Sequence, residues 1–143
     1  MSATLLAGLS RTTEPHTMLR RFLAVDAVVT GFNGLAYLVA AGPLGRLLGV
    51  GEGLLLELGV LLLVFAGAVG SLAARNRPPQ LPVKLVVDAN LLWALLSIVA
   101  LALWLEPTTA GAVWTMLQAL VVAGLAVLQW SALRAATPAG ASR

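Results

Sequence analysis

The 143-residue chain contains no cysteine and a single histidine, His16. Disulfides, thiolate metal sites and redox dithiols are therefore excluded. His16 lies in a polar stretch, which also excludes a haem held between two intramembrane histidines. Charge is scarce: Asp, Glu, Lys and Arg make up 10% of the residues, where a soluble domain carries about a quarter. Nine Lys and Arg against six Asp and Glu leave a net charge of +3, with no cluster that would hold phosphates. Apolar residues, by contrast, reach 59%, and the mean hydropathy is +0.94. Such a composition excludes a soluble globular enzyme, a disordered chain and a nucleic-acid-binding protein.

The apolar residues gather in four runs, roughly 20–41, 53–74, 83–105 and 109–134. Each is long enough to cross a bilayer, which takes about 20 residues of helix. A backbone inside hydrocarbon must satisfy its own polar groups, so each run is expected to be helical. The fold class is therefore all-α, a four-transmembrane-helix bundle. Gly42-Pro43 ends the first run, and Pro78, Pro79 and Pro82 separate the second from the third. Glu106-Pro107-Thr108-Thr109 forms the last turn. The stretch 44–50, apolar with one Arg46, reads as a short interfacial turn. Residues 1–18 read as a flexible cytoplasmic segment, 19–135 as the transmembrane domain and 136–143 as a flexible tail. Met18-Leu19-Arg20-Arg21 has the character of an alternative start, and the first ten residues make a poor signal peptide.

The cations sort by side. With both termini in the cytoplasm, the inner side holds Arg11, Arg20, Arg21, Arg75, Arg77, Lys84, Arg134 and Arg143, and the outer side holds Arg46 alone. The positive-inside rule then places the chain as a multi-pass protein of the plasma (inner) membrane, N-in and C-in. Trp104 and Trp130 fall at span ends, where aromatic belts form. Leu23-Ala24-Val25-Asp26-Ala27 recurs as Leu85-Val86-Val87-Asp88-Ala89, a pattern that would fit two parallel helical hairpins.

Ionisable groups inside spans are expensive and mark function by default. Asp26, Glu57 and Asp88 are the three. Asp88 follows Lys84 by one helical turn, so a structural ion pair is the plain reading. Glu57 lies close to the outer end of the second span, where snorkelling to the headgroups would satisfy it. Asp26 has no cation among its helical neighbours. With Thr30, Asn33 and Tyr37 it forms one stripe at spacings of four, three and four, which must face the bundle interior. Asn90, Trp93 and Ser97 form a stripe on the third span, Trp114 and Gln118 one on the fourth. Interhelical hydrogen bonding is the plain account of each. Ala66, Gly67, Gly70, Ser71 and Ala74 make a small-residue face on the second span, suited to close packing within the chain or in a homo-oligomer.

No nucleotide-binding loop and no Asp-rich metal motif is present, no metal or other cofactor is expected, and no serine has a histidine base within a span. What remains is carboxylic acid chemistry in an apolar cavity. A carboxyl group held in low dielectric keeps its proton near neutral pH and can pass it to an alkene or epoxide. Aromatic faces stabilise the cation that develops, and a dry pocket protects it. Asp26 is the expected proton donor, with Glu57 or Asp88 assisting. Thr30, Asn33, Tyr37, Asn90, Trp93, Trp114 and Gln118 are the expected lining, with Phe22 and Phe65 as further aromatics. Asp26 and Asp88 lie at similar depth, and facing one another their repulsion would raise one pKa further.

On Asp26, Glu57, Trp93 and the four-span layout, residues 19–135 resemble the small integral membrane proteins of actinobacteria, among them transmembrane terpene cyclases that cyclise prenylated indoles and other meroterpenoid precursors. That resemblance implies a metal-free, acid-initiated cyclase whose partners are a lipophilic small-molecule substrate and membrane lipids. A proton-coupled small-molecule transporter, or a non-catalytic membrane subunit, fits the same lone acids. Aromatics on the polar stripes favour a cation-stabilising pocket over a bare transport path.

Overall fold

The computed structural model describes residues 2–103 and 106–136, with side chains described from residue 16 onward. Five helices make up the fold: α1 (Ser2–Val39), α2 (Ala41–Leu48), α3 (Glu52–Ala73), α4 (Gln80–Leu103) and α5 (Thr109–Ala136). Four stretches are long and apolar enough to cross a membrane, His16–Val39, Glu52–Ala73, Gln80–Leu103 and Thr109–Ala136. The chain is thus a multi-pass, all-α membrane protein.

Helix ends follow local chemistry, and three differ from expectation. Helix α1 begins at Ser2, far ahead of Arg20, where the first apolar run starts. The expected interfacial turn is a full helix, α2, with Pro43 in its first turn, where a missing N–H removes no helical bond. Helix α4 begins at Gln80, so Pro82 belongs to its first turn rather than to the loop. Gly49 ends α2 with a φ of 74°, and its N–H bonds back to the Gly45 carbonyl, a left-handed cap that glycine adopts without strain. Thr108 caps α5: its hydroxyl accepts the Gly111 N–H at 3.1 Å. The same hydroxyl donates to the Leu47 carbonyl at 2.6 Å, and the Thr108 N–H donates to Leu48 at 3.2 Å. The end of α2 is therefore tied to the start of α5.

Helix α1 packs along α3 and against α5, α5 packs against α4, and α3 and α4 scarcely touch. The α1–α3 seam is built from small residues. A Cβ at Gly34 would sit 2.9 Å from the Gly59 carbonyl oxygen, and a Cβ at Gly59 would sit 2.9 Å from that of Gly34. Farther along, Gly31 faces Ala66 and Gly70 faces Ala27. Part of the expected small-residue face, Ala66 and Gly70, is thus used inside the chain, whereas Gly67 meets open space. Backbones this close gain dispersion contacts, which carry helix association where lipid removes the hydrophobic drive.

One end of the bundle, at the α3–α4 loop, is tightly packed. Leu19, Leu23, Val69, Val83, Val86, Ala132 and Leu133 form its core, with Phe22 and Phe65 against it. Arg20 Nε donates to the carbonyl of Ala73 at the end of α3 at 3.0 Å, a cation on exposed helix-terminal carbonyls. Toward the α2 end the bundle is hollow. Many large apolar side chains point outward, Phe32 among them at 71% exposure, as a lipid-facing surface requires. Trp130 is on that outer surface, with Arg134 6.0 Å from its ring centre. Trp104 and the expected tail beyond 136 lie outside the described residues.

Candidate functional site: a polar layer beneath an aromatic cavity

Asp26 is 1% exposed and sits where the packed end meets the hollow half. Its Oδ2 accepts Asn90 Nδ2 at 2.7 Å and Gln129 Nε2 at 2.7 Å. Its Oδ1 accepts the hydroxyl of Thr30, one turn along α1, at 3.0 Å. Asn90 Nδ2 also donates to Gln129 Oε1 at 3.2 Å. Thr30, Asn90 and Gln129 are all buried. The four side chains therefore join α1, α4 and α5 in one layer. Among the described residues no cation pairs with Asp26, so its acceptor sites are met by neutral donors alone. A buried carboxyl held this way keeps its polar atoms satisfied without an ion pair. The two amides saturate Oδ2. Thr30 can donate or accept, and here its hydroxyl donates to Oδ1.

Two adjoining cavities lie above this layer. One of about 170 Å³ is lined by residues of α1, α3, α4 and α5, with Thr30 and Asn90 in its wall beside Asn33, Phe65 and Trp93. The other, of about 280 Å³, is lined by Leu48 of α2, Leu55 of α3, Ser97 of α4 and Trp114 of α5, among others. Tyr37, Trp93 and Gln118 border both. No charged side chain lines either one. Asp26 lines neither and reaches the smaller cavity only through Thr30 and Asn90, its hydrogen-bond partners.

The aromatic walls are held in place. Trp93 Nε1 donates to Gln118 Oε1 at 2.8 Å, and Gln118 Nε2 donates to the Thr115 carbonyl at 3.2 Å. Trp114 Nε1 donates to the Tyr37 hydroxyl at 2.8 Å. Both indoles thus have a satisfied N–H and a fixed plane. The Tyr37 oxygen accepts this bond, while its own hydrogen meets no acceptor among the described residues. Asn33 and Ser97 likewise make no side-chain hydrogen bond there.

The structure brings together Asp26, Thr30 and Asn90 in the layer, and Asn33, Tyr37, Trp93, Trp114 and Gln118 around the cavities. It does not bring Glu57 or Asp88 to either. Both side chains are exposed on the outer surface. The expected Lys84–Asp88 ion pair is not formed among the described residues, and Asp88 does not face Asp26. Asn90, two residues on, turns inward instead, so the repeated Leu-x-Val-Asp-Ala pattern places its two aspartates in unlike surroundings. Phe22 packs in the core cluster rather than in a cavity. Gln129, at 0% exposure, is the layer residue that sequence reasoning missed. Its signal was its spacing: eleven residues after Gln118 is close to three full helical turns, hence the same face of α5.

Among the described residues, no three His, Cys, Asp or Glu side chains gather into a metal-binding group. No family model matches the chain, and neither a curated protein nor a solved structure is detectably similar to it. The likeness to terpene cyclases therefore gains nothing from comparison.

Proposed function

We propose that this chain is a multi-pass protein of the plasma (inner) membrane that binds a neutral, lipophilic small molecule in the cavity between its helices. The observation that carries this reading is a hollow, uncharged, aromatic-walled half-bundle closed below by a fully buried polar layer. A pocket with apolar walls and a few fixed polar groups is the ordinary form of a small-molecule site. The gap between α3 and α4 gives a molecule dissolved in the bilayer a lateral way in. Sidedness follows from charge: Arg20, Arg21, Arg75, Arg77, Lys84 and Arg134 gather at the packed end, against Arg46 at the other, which supports N-in and C-in.

Acid-initiated cyclisation is the second reading, and Thr30 favours it. Its hydroxyl touches Asp26 and also lines the cavity. A proton would pass from the Asp26 carboxyl through Thr30 to an alkene carbon, forming a C–H bond and a carbocation facing Trp93 and Tyr37. Loss of a proton from the cyclised cation would return it. Glu57 and Asp88 have no part in this scheme, because both lie on the outer surface. Proton-coupled transport has less support, since the bundle is packed shut at one end.

The test is direct. The purified protein in detergent should retain a lipophilic fluorescent probe, and Trp93→Ala should weaken that retention. Equal retention by the parent and by Trp93→Ala would refute the cavity as the binding site. For the second reading, Thr30→Val should abolish turnover of a prenylated indole while probe binding persists. Undiminished turnover by Thr30→Val would eliminate the Asp26–Thr30 route.

A further inference from the structure

We infer that the cavity selects a lipid whose head is a flat, neutral ring bearing two hydrogen-bonding oxygens, the chemistry of a prenylated quinone. The inference rests on the cavity reading above and names its ligand class. Three observations lead to it. First, the lining holds no charge, so an anionic or cationic headgroup would enter unpaired, at high desolvation cost. Second, Trp93 and Trp114 are locked by hydrogen bonds of 2.8 Å each. Their planes are set before any ligand arrives, which suits a flat conjugated ring better than a flexible chain. Third, the cavity wall on α1 offers two unused hydrogen-bonding groups, the Tyr37 hydroxyl hydrogen and the Asn33 amide. Their residues stand one helical turn apart on the same face of α1, so a head with two oxygens can meet both. The Tyr37 oxygen already accepts Trp114, so the unused part of the group is its hydrogen, which calls for a carbonyl-type acceptor. Asn33 can donate or accept, and so tolerates either the carbonyl or the hydroxyl form at the second position. The apolar remainder of the larger cavity, from Leu48 to Leu55, takes the chain.

The experiment uses the whole protein in detergent, titrated with a short-chain prenylated benzoquinone while tryptophan emission is followed. A prenyl alcohol of equal chain length, lacking the ring, competes in a second arm against a lipophilic fluorescent probe. Saturable quenching by the quinone is expected, with the ring-free alcohol binding at least tenfold more weakly. Tyr37→Phe and Asn33→Leu should each weaken quinone binding roughly tenfold, the factor for one lost hydrogen bond with a buried partner. Glu57→Gln, on the outer surface and away from both cavities, should bind as the parent does, and probe retention certifies that each variant is folded. If the alcohol binds as tightly as the quinone, or both variants keep parental affinity, the ring inference is overturned while the cavity reading stands. If quinone, alcohol and probe all fail to bind, both readings fall together.

Discussion

Replacing Gln129 with leucine tests whether the buried layer ties the bundle together. Gln129 is 0% exposed, donates to Asp26 at 2.7 Å and accepts from Asn90 at 3.2 Å. Leucine has similar volume, so packing changes little, and the loss is of hydrogen bonds. The bond to Asp26 contributes about 1.5–3 kcal/mol if the carboxyl is ionised. The weaker amide–amide bond contributes about 0.6 kcal/mol, the usual value between membrane helices. Gln129 is enclosed by α1, α4 and α5, so we expect Gln129→Leu to destabilise the fold by about 3 kcal/mol, roughly a hundredfold in the unfolding equilibrium. Reversible unfolding in mixed micelles, followed by near-ultraviolet circular dichroism, measures this. The Asn90→Leu/Gln129→Leu double variant should cost less than the sum of the single variants, because their shared bond is lost in each. Gln118→Leu, half-buried and holding only Trp93 and a backbone carbonyl, should cost about 1 kcal/mol. If Gln129→Leu lies within about 0.5 kcal/mol of the parent, the size of an ordinary surface change, the layer is not an interhelical tie.

Two further outcomes follow from the geometry. A Cβ at Gly111 would run into the Leu48 carbonyl, so Gly111→Ala should push α2 away from α5; faster hydrogen exchange of the α2 amides would register this, and unchanged exchange would count against the contact. Glu57→Gln and Asp88→Asn, both on the outer surface, should shift stability by no more than about 0.5 kcal/mol and leave probe binding intact, whereas a large loss of binding in either would return that acid to the site.

The positions of the spans were legible because hydrocarbon imposes one rule on every residue of a run. Length and apolarity suffice to locate helices, and the described helices α3 and α5 begin within a residue of where their runs do. The inward stripe on α1 was legible for a similar reason, since polar groups at helical spacing cannot all face lipid. Partners were not legible. Asp26 and Asp88 sit in nearly the same local sequence, yet one is 1% exposed and the other faces outward, because rotation of α4 about its axis is set by packing on α5. Glu57 looked as isolated as Asp26 for want of any record of which side of α3 meets α1. Gln129 passed unnoticed because it lies near the C-terminal end of its run, where a polar residue is cheap, and only the approach of α1 and α4 buries it.

Composition and order along the chain were enough to make this a helical protein of the bilayer with four stretches long enough to cross it, and to put most of its cations near one end of the bundle. These are properties of the solvent acting on each residue separately, and they need no knowledge of neighbours. The tertiary structure decided which acid is buried, which amides hold it, and that the aromatics enclose a hollow rather than fill a core. Those outcomes depend on how far α3 and α4 stand apart once α1 has closed on α3 through its glycines, and a distance between helices is written in no single segment.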